Sequence, residues 1–295
     1  MPASERLPTL SAAEPVAVPE ADPAACAALA ADPTRALALL RDGELTVHGR
    51  ITDASNAAFY CSVSDGADDA GAICVYKPVR GERPLWDFPD GTLARRETAA
   101  YLVAAATGWG LVPPTVLREG PFGLGMCQTW VEPDPEAPEL LSLQPGEEAA
   151  PGWHAIGLAE IEPGRTALFV HADDERLRRL AVLDAVLNNG DRKGGHLLTA
   201  ADGRLYGIDH GVTFAVPGKL RTLLWGWAGE PLTSEAAEVL GRLRADLDGA
   251  LGAALAPLLT PQEIAATAAR VDHLLKDGHH PLPSADWPAV PWPPI

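Results

Sequence analysis

Residues 181–214, AVLDAVLNNGDRKGGHLLTAADGRLYGIDHGVTF, set two aspartates, Asp191 and Asp209, in Gly-rich turns with an apolar hairpin pattern between them. Leu177, Leu180, Ala181, Leu183, Ala185 and Val186 make an apolar helix, and Asn189-Gly190 is a stop signal at its end. HLLT and RLYGI follow as short apolar runs joined by AADG, whose Asp202-Gly203 suits a tight hairpin turn. Pairing the runs about that turn sets His196 roughly opposite Asp209, with Asp191 in the loop feeding the hairpin. Two carboxylates and an imidazole at the open end of a buried ribbon suit a metal and acid/base site. Aspartate in a Gly-rich loop also serves plain turn chemistry, and the residues leave that alternative open.

Upstream, lysine is scarce: only Lys77, Lys193, Lys219 and Lys276 occur. Lys77 ends AICVYKP, where period-two alternation puts Ile73, Val75 and Lys77 on one strand face. A helix is expected from about Thr92 to Thr107, ended by Gly108, with Glu97 on an apolar stripe of Leu93, Ala100, Tyr101 and Ala104. A buried carboxylate without a cation is costly, so Lys77 and Glu97 make a candidate pair. The other reading is a solvated Glu97 beside Arg95 and Arg96.

VHGRITDASNAAFYCSV reads as two strands around a polar turn, Asp53 to Asn56, that could offer N–H groups and hydroxyls to a phosphate. FGLGMCQTWVEPDPEAPE reads as a strand running into an acidic, Pro-rich connector, and this composition shift marks a boundary. The expected organisation is a flexible tail over 1–24, a first lobe over 25–131, a connector over 132–152, a second lobe over 153–278 and a Pro-rich tail over 279–295. Within the second lobe, 232–276 read as two helices, the later one opening on a capping box of Thr260 and Glu263. Strand with Lys, helix with Glu, linker, loop Asp and hairpin Asp is the order of a two-lobed kinase of α+β class, β-rich first and mainly helical second.

The chain of 295 residues is 47% apolar, enough for two lobes with a core. Its net charge of −17 argues against nucleic acid as a partner and against stable adhesion to anionic membranes. No apolar run approaches the roughly 18 residues of a membrane span, and MPASERLPTL lacks a secretion-signal pattern, so a cytoplasmic location is expected. Cys26, Cys61, Cys74 and Cys127 form no Cys-x-x-Cys pair and read as small buried hydrophobes.

NNGDRKGGH and YGIDHG, supported by VYKPVRGERPLWDFPDGTLARRE, resemble kinases of the phosphatidylinositol 3-/4-kinase-related type, and in particular a mostly actinobacterial family similar to them. The resemblance runs from about residue 45 to 275. It implies Asp191 as the catalytic-loop aspartate, steadied by Asn189 and Arg192, and Asp209 as the ligand of a magnesium or manganese ion on ATP. It implies Lys77 on the phosphates, positioned by Glu97, with Ser55 and Asn56 in a phosphate loop. Trp130, Val131 and Glu132 would form the hinge that meets adenine. At His196 those kinases place a metal-binding Asn; an imidazole there is a departure that favours manganese, a metal held by Asp209 largely alone, or nucleotide binding without turnover. His196 as a mere hairpin-end residue is the structural alternative. The implied activity is transfer of the ATP γ-phosphate to a protein or small-molecule acceptor; the alternatives are a pseudokinase acting as a nucleotide-binding module and an inositol-lipid kinase.

Overall fold

The computed structural model describes residues 26–294 apart from 27, 30, 52–54, 67–71, 163 and 164. The expected tail over 1–24 and Asp53 of the polar turn lie outside the described residues. The first lobe opens with α1 (Pro33–Asp42), a helix the sequence reading did not anticipate, whose Asp32 side chain accepts from Arg35 N–H at 3.1 Å. Strands β1 (Glu44–Ile51), β2 (Ala58–Ser64), β3 (Ala72–Pro78), β4 (Thr115–Gly120) and β5 (Gly123–Thr129) form an antiparallel sheet in the order β1-β2-β3-β5-β4 among the described residues. On β3, Cys74 and Tyr76 join Phe59, Cys61 and Leu40 in a core on the α1 side. Alternation therefore turns Ile73, Val75 and Lys77 to the opposite face.

That opposite face meets α2 (Leu93–Thr107), which ends on Gly108 in the left-handed region (φ 74°). Its first N–H groups are satisfied from outside the helix. Thr92 makes no side-chain cap, and the Glu82 carboxylate accepts from Leu93 N at 3.0 Å and Ala94 N at 2.8 Å. An anion at a helix N-terminus meets both the free donors and the positive dipole end. The helix is buried on nearly every side, and Ala100, Tyr101, Val103 and Ala104 belong to the core of the second lobe.

The second lobe, expected to be mainly helical, opens with strands before its helices. Strands β6 (Leu141–Gln144), β7 (Trp153–Glu162) and β8 (Arg165–Ala172) form a sheet in the order β6-β8-β7 among the described residues, and β6 lies inside the stretch read as a connector. Helix α3 (Glu175–Leu187) follows and stops on Asn188 at φ 53°, one residue before the expected Asn189-Gly190 signal. Asn188 is held in that conformation by donating to Ala215 O and Pro217 O, each at 2.8 Å.

The hairpin is present as β9 (Leu197–Thr199) and β10 (Leu205–Gly207), turning at Asp202-Gly203 with Gly203 at φ 78°. Gly207 pairs with Leu197, and Ile208 N donates to His196 O, so the backbone partner of His196 is Ile208 rather than Asp209. Beyond it lie α4 (Ser234–Leu247), the short α5 (Ala250–Leu255) and α6 (Pro261–Asp277), so 232–276 holds a helix more than expected among the described residues. The Thr260/Glu263 capping box forms, with reciprocal bonds of 3.3 and 2.8 Å. Between the lobes, Trp130 N donates to Ile73 O at 3.0 Å and Asp134 N to Thr199 O at 2.8 Å, so the crossing chain is tied to β3 on one side and the hairpin on the other.

Candidate active site

Lys77 stands where the lobes meet. Its ammonium lies 2.9 Å from Glu97 Oε1 and also donates to Asp209 Oδ1, joining a strand, a helix and the loop after β10. Glu97 is 5% exposed, so its reading as a solvated surface residue fails. Its neighbour Arg96 turns away, donating to Thr213 O at 2.6 Å and pairing with Glu263. One ammonium thus serves two carboxylates. Burial would push the Lys77 ammonium down, but Asp209 and Glu97 outweigh it and hold Lys77 above its ordinary value. Burial pushes the Glu97 carboxyl up, with Asp209 adding to it against Lys77. Asp209 goes the other way: burial opposes its charge, yet Lys77 and then His196 hold it well below the usual carboxylate range. Its backbone sits at φ 58°, in the left-handed region that aspartate tolerates better than most L-residues.

The Asp191 loop is built on a residue the sequence reading passed over. Asp184, fully buried on α3, accepts from Arg192 Nε at 3.0 Å and NH2 at 3.0 Å, and from Asn189 Nδ2 at 2.9 Å. Asn189 Oδ1 in turn accepts from Asp191 N at 3.0 Å. Arg192, also fully buried, reaches on to Ile208 O at 2.9 Å and His210 Nε2 at 2.6 Å, so one guanidinium links the loop to the strand that delivers Asp209. Gly207 eases this approach, because a Cβ there would crowd Arg192 NH2 at 3.1 Å and Leu180 at 3.2 Å. The Asp191 carboxylate itself is half-buried, with Arg221 NH2 3.1 Å from Oδ1 and Lys193 Nζ 3.3 Å from Oδ2. The available signal for Asp184 was an acid within the apolar half of its helix, its close partners Arg192 and Asn189 lying past the helix end.

His196 Nε2 faces Asp209 Oδ2 at 3.5 Å, and its Nδ1 accepts from Lys193 N at 3.4 Å. Burial holds the ring below its ordinary value, against Asp209, so it is neutral. With Nδ1 accepting, the neutral ring carries its proton on Nε2 and presents an N–H to Asp209. His210 is likewise kept neutral by burial and by Arg192.

Asp209, His196, Lys77 and Glu97 are therefore brought together, with Asp191, Asn189 and Arg192 on the adjoining loop. Ser55 is exposed, and Asn56 is committed elsewhere, its Oδ1 accepting from Arg83 N at 2.8 Å. Val131 is buried against Ala200 and Tyr206, while Trp130 Nε1 donates to Glu132 Oε2 at 2.7 Å. Among the described residues no group of three His, Cys, Asp or Glu side chains converges for a metal. The donor set still fits a hard divalent cation. Two carboxylates share one ammonium, Asp209 remains 44% exposed at its side chain, and the buried Glu97 Oε2 has no hydrogen-bond partner.

No protein-family model matches the chain. The fold is the two-lobed kinase-like one, and hydra Fam20, solved with a sugar, shares it at a TM-score of 0.50 and 12% identity, over 84% of this chain and 88% of that one. Phosphatidylinositol 4-kinase gamma 4 of rice (Oryza sativa) is 26% identical over 70% of this chain, which spans 39% of that protein. Protein Rv2133c of Mycobacterium tuberculosis is 48% identical, over 87% of this chain and 94% of its own length. The chain belongs to the same family as that mycobacterial protein.

Proposed function

We propose that the chain is an atypical ATP-dependent phosphotransferase. The observation that carries this reading is the Lys77 ammonium between Glu97 and Asp209, which ties a strand lysine to a helix glutamate and to an aspartate of the other lobe. A phosphate chain entering the cleft offers oxygens to the same ammonium, freeing Asp209 for a cation. Magnesium or manganese on Asp209 would neutralise phosphate charge, the main demand of phosphoryl transfer. Lys77 then orients the phosphates while Glu97 holds it. Asp191, steadied at both oxygens by Arg221 and Lys193, accepts the hydrogen bond of the incoming hydroxyl and aligns it. Arg192, Asn189 and Asp184 fix the loop. The segment 130–132, where the chain crosses between lobes, offers backbone groups to adenine, and Ser55 and Asn56 border the phosphate end.

The acceptor is a protein or a small molecule rather than an inositol lipid. Lys219 and Arg221, the cations after Asp209 that a polyanionic headgroup would need, are engaged with Asp87 and with Asp191. His196 keeps a second reading in play, a pseudokinase that holds nucleotide without turnover, because an imidazole stands beside the metal-binding carboxylate. Purified protein given ATP with magnesium or manganese tests the two: transfer of the γ-phosphate supports the enzyme, and binding without transfer supports the module. No ATP binding with either metal would end both.

A further inference from the structure

Residues 287–294 lie against the second lobe and reach the loop that carries Asp191. Ala289 O accepts from Thr222 N at 3.0 Å and from Trp225 Nε1 at 2.8 Å, and Pro294 O accepts from Gly194 N at 2.9 Å. Thr222 adjoins Arg221, and Gly194 adjoins Lys193, the two residues whose side chains hold Asp191. The segment is thus bonded to the chain neighbours of both supports of Asp191. Trp287 anchors it at the other end, its ring 4.9 Å from Lys219 Nζ and 6.5 Å from the ring of Trp86.

In each of these three hydrogen bonds the lobe donates and the segment accepts through a carbonyl. Pro288, Pro291, Pro293 and Pro294 bring no backbone N–H that would need a partner. A row of fixed donors with an indole among them selects an extended, proline-containing chain. The stretch from Ala285 to Pro294 contains no Ser, Thr or Tyr, so it offers no hydroxyl to the site it borders.

We infer that the track formed by Gly194, Thr222 and Trp225 is the acceptor site for a proline-flanked polypeptide, and that residues 287–294 occupy it in cis as an unreactive stand-in. This rests on the phosphotransferase reading and narrows its acceptor to polypeptide. Access then requires the segment to leave, and an acceptor competes with it for the same donors.

The test uses the full chain carrying Trp287→Ala, which removes the anchor, and the same chain with Trp225→Phe added, which keeps an aromatic ring but deletes the indole N–H donor. The probes are a fluorescent peptide of residues 285–294 and a Ser/Thr peptide library with flanking proline. In Trp287→Ala the Gly194 and Thr222 amides exchange hydrogen at least tenfold faster and the fluorescent peptide binds, whereas it does not bind wild type. Phosphate transfer to the library rises at least fivefold and falls again when unlabelled 285–294 peptide is added. Trp225→Phe added to Trp287→Ala weakens the peptide binding gained in Trp287→Ala without changing ATP affinity. Faster exchange with no peptide binding, or a lowered melting temperature with transfer unchanged, overturns the inference. Peptide binding without transfer while ATP is turned over also overturns the acceptor assignment. Absence of ATP binding in every chain overturns the phosphotransferase reading itself, and the acceptor assignment with it.

Discussion

Lys77 and Asp209, separated by 132 residues, share a hydrogen bond across the two lobes, and the same ammonium holds Glu97 at 2.9 Å. Removing that cation leaves two carboxylates facing each other, one of them almost fully buried. Lys77→Met is expected to cost about 2–3 kcal/mol, below the 3–5 of a fully buried pair because Asp209 is partly hydrated. Glu97→Gln relieves a competition for one ammonium and should cost under about 1 kcal/mol. Urea denaturation at neutral pH measures both. Equal losses in the two variants would contradict the shared-ammonium arrangement.

Asp184 gives a larger effect from a residue distant from any ligand. Asp184→Ala leaves the Arg192 guanidinium buried without its carboxylate and should destabilise by roughly 3–5 kcal/mol. The loop that carries Asp191 should loosen first, visible as faster hydrogen exchange at Asp191 N. A loss under about 1 kcal/mol would show that Arg192 is held well enough by Ile208 O and His210.

These residues show what the chain discloses before it folds. The β9/β10 hairpin was legible because Asp202-Gly203 and two apolar runs are local signals, and α2 because its stop at Gly108 is local too. Asp184 was not, since its partner Arg192 lies past the helix end, where helical periodicity has no meaning. The β6–β8 sheet escaped notice because β6 is four residues long and sits among prolines and acids. Pairing with β8, not its own composition, makes it a strand. His196 and Asp209 were placed near each other, but Gly207 facing Leu197 moves the backbone partner of His196 to Ile208. The Lys77–Glu97 pair was inferable from charge on apolar faces, whereas Asp209 as a third member depends on how the lobes meet.

Glu263 does two things at once, capping α6 through Thr260 and pairing with the buried Arg96 of α2. Thr260→Ala should lose about 1 kcal/mol, the ordinary value of a cap. Glu263→Ala should lose roughly 3 kcal/mol, because Arg96 is then left buried without a carboxylate, with Thr213 O, Thr92 and the Phe88 ring as its remaining partners. Thermal denaturation of the two variants side by side decides; equal losses would reduce Glu263 to its cap.

Burial holds His171 and His280 down to about 4, with Arg178 adding to the effect at His280. The unfolded chain takes up these protons near pH 6.5, earlier than the folded one on acidification. Stability from these rings is therefore complete above about pH 6.5 and is lost as pH falls toward about 4. Melting temperature should decline over that window, and His280→Gln should flatten the slope. A flat profile, or one His280→Gln leaves untouched, would contradict the buried neutral rings.

His196 presents an N–H to Asp209, so the arrangement expects magnesium to serve at least as well as manganese. His196→Gln, which can still donate, should then stay closer to wild type than His196→Ala. Were manganese strongly preferred, with His196→Asn restoring magnesium, the imidazole would be a metal ligand after a change of tautomer.

The most direct test of the phosphotransferase account is γ-phosphate release or transfer from labelled ATP by wild type and Asp209→Asn, with ATP-dependent thermal stabilisation recorded in the same samples. The account expects metal-dependent turnover and stabilisation in wild type, and neither in Asp209→Asn. Equal stabilisation and turnover in Asp209→Asn, or no response to ATP in wild type with magnesium or manganese, would contradict it.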